Sequence, residues 1–209
     1  MTLPEVEAAA GAARLSVLGG FHPAPDEGLG RTLMLLGPGP AFWPHFAQSP
    51  EMRDGAADPL DRWSRRVVSR MAEVLGARAL FPFGPPPFHP FQSWATRTGR
   101  IWPSPVNFLV HGEQGLWVSF RGALAFDAAL DVPPAMDKPC DSCPDQPCRS
   151  ACPVSALTPA GYDVATCKDY LRGGADCMRG GCAVRAACPV SRSFPRDARQ
   201  SAFHMEAFL

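Results

Sequence analysis

Apolar residues in this chain fall into short unbroken runs and one long stretch with a helical period. Residues 32–36, Thr-Leu-Met-Leu-Leu, form such a run and are followed by Gly37, Pro38, Gly39 and Pro40. That pattern predicts a buried strand closed by a turn, because glycine and proline cannot extend a ladder. The helical stretch opens with Asp58 as N-cap and Pro59 at the first helical position, and carries Leu60, Trp63, Val67, Met71, Val74 and Leu75 before Gly76. Proline is tolerated there because its missing N–H would have had no helical partner. Steps of three and four gather the apolar residues on one face, so the helix should pack on a sheet.

Further along, residues 78–81 read as a second strand that runs into the proline-rich loop 82–90. A short helix over 91–97 and strands at 106–110 and 116–120, joined by a turn at 111–115, should follow. Residues 195–209 predict a terminal helix whose Ala202, Phe203, Ala207 and Phe208 face a core, packed back on the first domain. Strands and helices thus alternate, which favours an α/β or α+β layer.

Charge narrows the function. The 209 residues hold 20 Lys and Arg against 20 Asp and Glu. No basic surplus supports nucleic acid or an acidic membrane as partner. Residues 1–20 include Glu5 and Glu7 and lack the basic start and apolar stretch of a secretory signal, and no segment reaches the roughly 18 apolar residues of a span. The expectation is a cytoplasmic protein.

Composition changes near Pro133 and Pro134, which sets the expected domains at 1–132, 133–194 and 195–209. All eight cysteines lie from Cys140 to Cys188. In a reducing compartment, such crowding points to metal ligands rather than disulfides.

The first run is Cys140-x2-Cys143-x4-Cys148-x3-Cys152-Pro153 and the second Cys177-x4-Cys182-x5-Cys188-Pro189, with Cys167 between them. Ala-Cys-Pro-Val-Ser occurs at 151–155 and again at 187–191, which suggests two similar sites. Two-cluster ferredoxins use C-x2-C-x2-C-x3-C-P runs, in which three thiolates grip one cluster and the fourth ligates the other run's cluster. Mapped here, Cys140, Cys143, Cys148 and Cys188 would hold one [4Fe-4S] cluster. Cys152, Cys177 and Cys182 would hold a second, with Cys167 the remaining candidate for its fourth ligand.

The x4 spacing departs from the motif and the second run is looser still, but Pro144, Pro147, Gly180 and Gly181 suit loops that fold back. Between Lys138 and Arg192, seven Lys and Arg face five Asp, a surplus that offsets part of the anionic charge of two clusters. Zinc is the main alternative, yet zinc modules generally use paired C-x2-4-C knuckles without the Cys-Pro ending.

The order of features, with Val106-Asn-Phe-Leu-Val110, Gly115-Leu-Trp117 and then the cysteine runs enclosing Cys167-Lys-Asp-Tyr170, resembles that of epoxyqueuosine reductases. In that family a flavin-reductase-like, cobalamin-binding domain precedes a two-cluster ferredoxin domain. The likeness covers about residues 60–190 and implies an α+β protein of that arrangement, with Cys167 as a ligand of the second cluster. It also implies a carboxylic acid after the strand at 78–81, where this chain has Pro82-Phe-Gly-Pro-Pro and no acid between Glu73 and Glu113. The family's helical repeats that help to hold tRNA have no counterpart here.

Other residues add less. Trp43, Trp94, Trp102, Trp117, Phe88 and Phe91 suit a core better than the wall of a flat cofactor's pocket. His89 and His111 fall in expected loops, and His45 and His204 among apolar residues, none with a partner at metal-ligand spacing. No glycine-rich phosphate loop stands out. The sequence therefore predicts an iron-sulfur redox protein in which two clusters deliver single electrons to a site in, or docked on, the first domain, with an electron donor or acceptor protein as partner. A corrinoid or flavin in the first domain, a plain electron-transfer module and a zinc-stapled structural protein all stay open, and so does the substrate.

Overall fold

The computed structural model describes residues 1–158 and 160–209. It is a mixed α+β structure, 39% helix and 16% strand, whose sheets are small and antiparallel. In chain order the elements are α1 (Leu3–Ala12), β1 (Leu15–Phe21), β2 (Thr32–Pro38), α2 (Phe42–Phe46), α3 (Pro50–Arg53), α4 (Pro59–Leu75), β3 (Arg78–Leu80) and α5 (Phe91–Thr96). Then come β4 (Ile101–Pro103), β5 (Leu109–His111), β6 (Gly122–Phe126), β7 (Leu157–Thr158) and β8 (Gly161–Tyr162). The chain ends in α6 (Val164–Arg172), α7 (Cys177–Gly180), α8 (Ala183–Ala187), α9 (Pro189–Ser193) and α10 (Ala198–Phe208). Among the described residues, no helix is long and apolar enough to cross a membrane.

Two compact units form, Met1–Arg100 with Ser119–Met136, and Ile101–Val118 with Asp137–Leu209. This division departs from the expected boundary at 132, because the segment around β4 and β5 is grouped with the cysteine region. The reason is packing: Val106, Val110 and Leu116 share one core with Cys148, Leu157, Val184 and Cys188. Composition hides this, since that segment is as apolar and aromatic as the chain before it.

The first unit is built on a sheet in the order β1-β2-β6-β3. All its pairings are antiparallel. Every residue of β2 and β6 is buried, as an unbroken apolar run in a central strand should be. Helix α4 runs between the expected caps, Asp58 and a left-handed Gly76. It lies on β3 and β6, where a side chain at Gly122 would come within 3.0 Å of Val68. Its buried face is Leu60, Trp63, Ser64, Val68, Met71, Ala72 and Leu75, whereas the expected Val74 is 65% exposed. Trp63 meets Phe42 edge-on at 5.2 Å and Phe46 at 6.0 Å, and burying each ring contributes about 1.5–3 kcal/mol.

One other expectation gives way. Residues 116–120 form no strand; the pairing strand is β6, a few residues later. Strand β1 contains Gly19 and Gly20 within its ladder. At Gly19 the backbone approaches Thr98 so closely that a Cβ would stand 2.7 Å from its side chain.

In the second unit β4 pairs with β5, and β7 with β8. The turn after β5 is fastened by His111, whose Nδ1 accepts from the Glu113 and Gln114 backbone N–H groups at 3.0 and 3.2 Å. The terminal helix α10 packs on α7 and belongs to this unit. Its fully buried residues are Gln200, Ser201 and Met205, and of the apolar residues expected to face a core Phe208 stacks on Tyr162 at 6.1 Å.

Candidate metal centre

The first group of thiols is set by turns. Cys140 and Cys143 share a tight turn in which the Cys143 N–H donates to the Cys140 carbonyl at 3.4 Å. Gln146, in the left-handed region at φ 38, bends the loop into the single 3-10 turn Pro147–Arg149, which presents Cys148. From far along the chain, Cys188 arrives as the N-cap of α9, with Pro189 in the first turn. The four line one cavity of about 400 Å³, floored by Val110 and Leu116.

These thiols also feel one another. Burial pushes the Cys148 thiol up, and Cys188 and Cys143 push it further, with Arg149 pulling back. Burial likewise raises Cys140, opposed by Lys138 and reinforced by Cys148, Cys188 and Cys143. Thiols held protonated by burial must give up their protons to bind metal, so metal binding releases protons.

The second group comes from helix ends. Cys152 precedes Pro153, Cys167 lies in α6, Cys177 opens α7, and Cys182 caps α8. Helix α6 is positioned by its own cap, the Asp163 carboxylate accepting from the Thr166 N–H at 3.0 Å. These four cysteines line a cavity of about 20 Å³, walled by Leu171, Val184 and Met205.

More polar groups serve this site. The Ala156 N–H donates to the Cys152 sulfur at 3.2 Å. Burial pushes the Tyr162 hydroxyl up, and the neighbouring Cys167 thiol pushes it further. Burial raises the Cys182 thiol too, against the Arg185 and Val184 backbone amides and the Arg185 guanidinium.

Each cavity therefore joins cysteines from distant parts of the chain. Cys188 of the second run stands with Cys140, Cys143 and Cys148, while Cys152 of the first run stands with Cys167, Cys177 and Cys182. All eight are free thiols. Among the described residues, no three His, Cys, Asp or Glu side chains stand close enough to hold a single metal ion.

A lone zinc needs four sulfurs about 2.3 Å from the metal and so about 3.8 Å from each other. An iron-sulfur cube is larger, and its thiolates stand further apart. Donor type and donor number fit a cube at both sites; the first cavity also has the room, whereas the second, at about 20 Å³, has room for about one water.

The first unit has a different cavity behind β3, lined by Arg65, Phe81, Phe83, Phe88 and His89 and about 160 Å³ in volume. That is below the roughly 300–1,000 Å³ of typical small-molecule sites. Trp43, Phe91, Trp94 and Trp117 are buried, while Phe88 is 66% exposed. His89 stacks on Trp94 and His45 meets Trp63 edge-on, both within the first unit. Sequence reasoning missed Tyr162, Ala156 and Arg185, since nothing in their spacing marks them as neighbours of sulfur.

The chain matches no protein-family model, no curated protein and no solved structure, so the chemistry of the two thiol sites stands on their own geometry.

Proposed function

We propose that the second unit binds two [4Fe-4S] clusters and that the protein transfers single electrons. Cys140, Cys143, Cys148 and Cys188 would hold one cluster, and Cys152, Cys167, Cys177 and Cys182 the other. The observation that carries this reading is the crosswise gathering of eight free thiols into two cavities of four. Each cluster, when bound, supplies a centre that gains or loses one electron without a bond being made or broken.

The chain's own residues do the rest. Turns and helix caps fix the thiols, Val110, Leu116, Leu171, Val184 and Met205 keep water from the sulfurs, and the Ala156 N–H stabilises thiolate charge on Cys152. The order of the two parts and the Cys167 segment support kinship with epoxyqueuosine reductases, in a reducing cytoplasm. The missing acid and the small cavity behind β3 favour an electron carrier for a donor or acceptor protein over a self-contained reductase.

Anaerobic purification followed by iron, sulfide and zinc analysis tests the reading, with a visible spectrum before and after dithionite. About eight irons and eight sulfides per chain and a broad band that bleaches are expected. Zinc, or no metal, would sink the proposal.

A further inference from the structure

Helix α4 carries four arginines, and three of them are paired with carboxylates. Arg62 meets Asp54 at 2.7 Å, Arg66 meets Glu51 at 2.5 Å and Arg70 meets Glu73 at 3.1 Å. Arg65 differs. Among the described residues it forms no ion pair and no hydrogen bond, and Asp61, one turn earlier, stands 3.7 Å from Arg121 instead. The loop after β3 brings it no carboxylate, since no acid occurs between Glu73 and Glu113.

What holds Arg65 is aromatic. Its guanidinium carbon lies 5.0 Å from the centroid of the Phe81 ring and 5.5 Å from that of Phe83, and the two rings stand 5.3 Å apart. The same three side chains line the cavity behind β3, together with Pro87, Phe88 and His89. His89 is itself stacked on Trp94, 5.4 Å away. The volume of about 160 Å³ equals about five waters at roughly 30 Å³ each, and Phe88, 66% exposed, leaves the cavity open to solvent on its side.

A ring attracts the flat face of a guanidinium and leaves the N–H groups on its edge free to donate. Those donors match a carboxylate in a two-point contact. Stacking also fixes the guanidinium before a ligand arrives, so less freedom is lost on binding. The proline and phenylalanine rings beside it suit an apolar body rather than a second charge.

We propose that Arg65, Phe81 and Phe83 form a binding site in the first unit for a small monocarboxylic acid with a flat apolar body. The carboxylate takes the N–H edge of Arg65, and the body lies against the aromatic lining. Inorganic phosphate gains the charge contact but little from the rings. Every residue involved belongs to the first unit, so the site does not depend on the two-cluster reading.

The test is isothermal titration calorimetry on the full chain at constant ionic strength, with benzoate, its neutral amide benzamide and inorganic phosphate as probes. Benzoate should bind once per chain with a Kd on the order of 1 mM, and benzamide and phosphate each about tenfold more weakly or worse. Arg65→Met should weaken benzoate by about tenfold, and Arg65→Lys should recover only part of the loss, because an ammonium cannot make the two-point contact. Phe83→Leu should weaken benzoate and leave phosphate unchanged.

Benzamide or phosphate binding as tightly as benzoate would overturn the inference. So would undiminished benzoate binding in Arg65→Met, or no saturation of the native chain by about 20 mM. If Arg65→Met fails to fold, the three probes on the native chain decide by the same criteria. Iron content does not enter the outcome, so the two-cluster reading stands or falls separately.

Discussion

The two thiol sites use the same four-cysteine donor set in opposite surroundings. The first opens into a cavity of about 400 Å³ beneath a loop in which Asp141, Ser142, Pro144 and Asp145 are exposed. The second closes to about 20 Å³ among helix ends and is served by Tyr162, Ala156 and Arg185. Ligand identity alone therefore does not make two sites alike. Solvent access, hydrogen bonds to sulfur and nearby charge set how each behaves, and these come from different segments.

The largest expected effect tests whether the sites are crosswise at all. Cys188→Ser with Cys140→Ser should cost about four irons per chain, because both thiols serve the first site. Cys188→Ser with Cys177→Ser should cost about eight, because one ligand is lost from each. Iron analysis showing the reverse would mean that each run ligates its own cluster.

The next effect distinguishes the frameworks of the two sites. Gly115 has φ 58, and a Cβ there would stand 2.4 Å from the Ser191 backbone nitrogen. Ser191 lies in α9, the helix capped by Cys188, and its hydroxyl accepts from the Leu116 N–H at 2.8 Å. Gly115→Ala should destabilise the second unit by about 2–4 kcal/mol and empty the first site before the second. Thermal melting of the loaded protein, with iron counted after partial heating, checks this.

A smaller effect concerns the closed site. Met205 is 9% exposed and lines that cavity from α10. Met205→Ala should cost about 2–3 kcal/mol and speed the bleaching in air of about half the visible band, leaving the other half unchanged. Uniform acceleration would show that α10 does not shield one site selectively.

The smallest effect lies in the first unit and serves as a control. Arg97 holds the Glu27 carboxyl at about 2, and Arg62 holds that of Asp54 at about 2, both below their ordinary values. A carboxylate lowered on folding stabilises the protein above its unfolded pKa and loses that contribution as pH falls towards the folded one. Both groups are exposed, so urea melts from pH 4.5 down to 3 should show only a modest loss, which Glu27→Gln and Asp54→Asn should reduce.

Helix α4 was legible because its limits are local backbone preferences, proline in the first turn and a left-handed glycine at the end, although the Asp58 side chain makes no cap hydrogen bond. Its buried face was misjudged, because Val67 and Val68 are equally apolar and only the facing sheet selects Val68. Strand β1 was not read from the sequence, because Gly19 and Gly20 break its apolar run; here they let Thr98, Leu33 and Val132 come close. The segment from β4 to Leu116 was assigned to the wrong unit because a hydrophobic run does not state which core it joins.

By itself, the sequence determined that eight thiols are concentrated in one region and that each run ends in Cys-Pro, features fixed by covalent order. It also determined the α4 limits and the central β2 strand, which follow from local backbone preference. Only the tertiary structure decided that Ile101–Val118 shares a core with the cysteines, that α10 packs on α7 and brings Met205 to the second site, and that Tyr162 and Arg185 lie near cysteines of that site. Those contacts join residues far apart in the chain, and their free energy comes from burial, which a one-dimensional pattern does not contain.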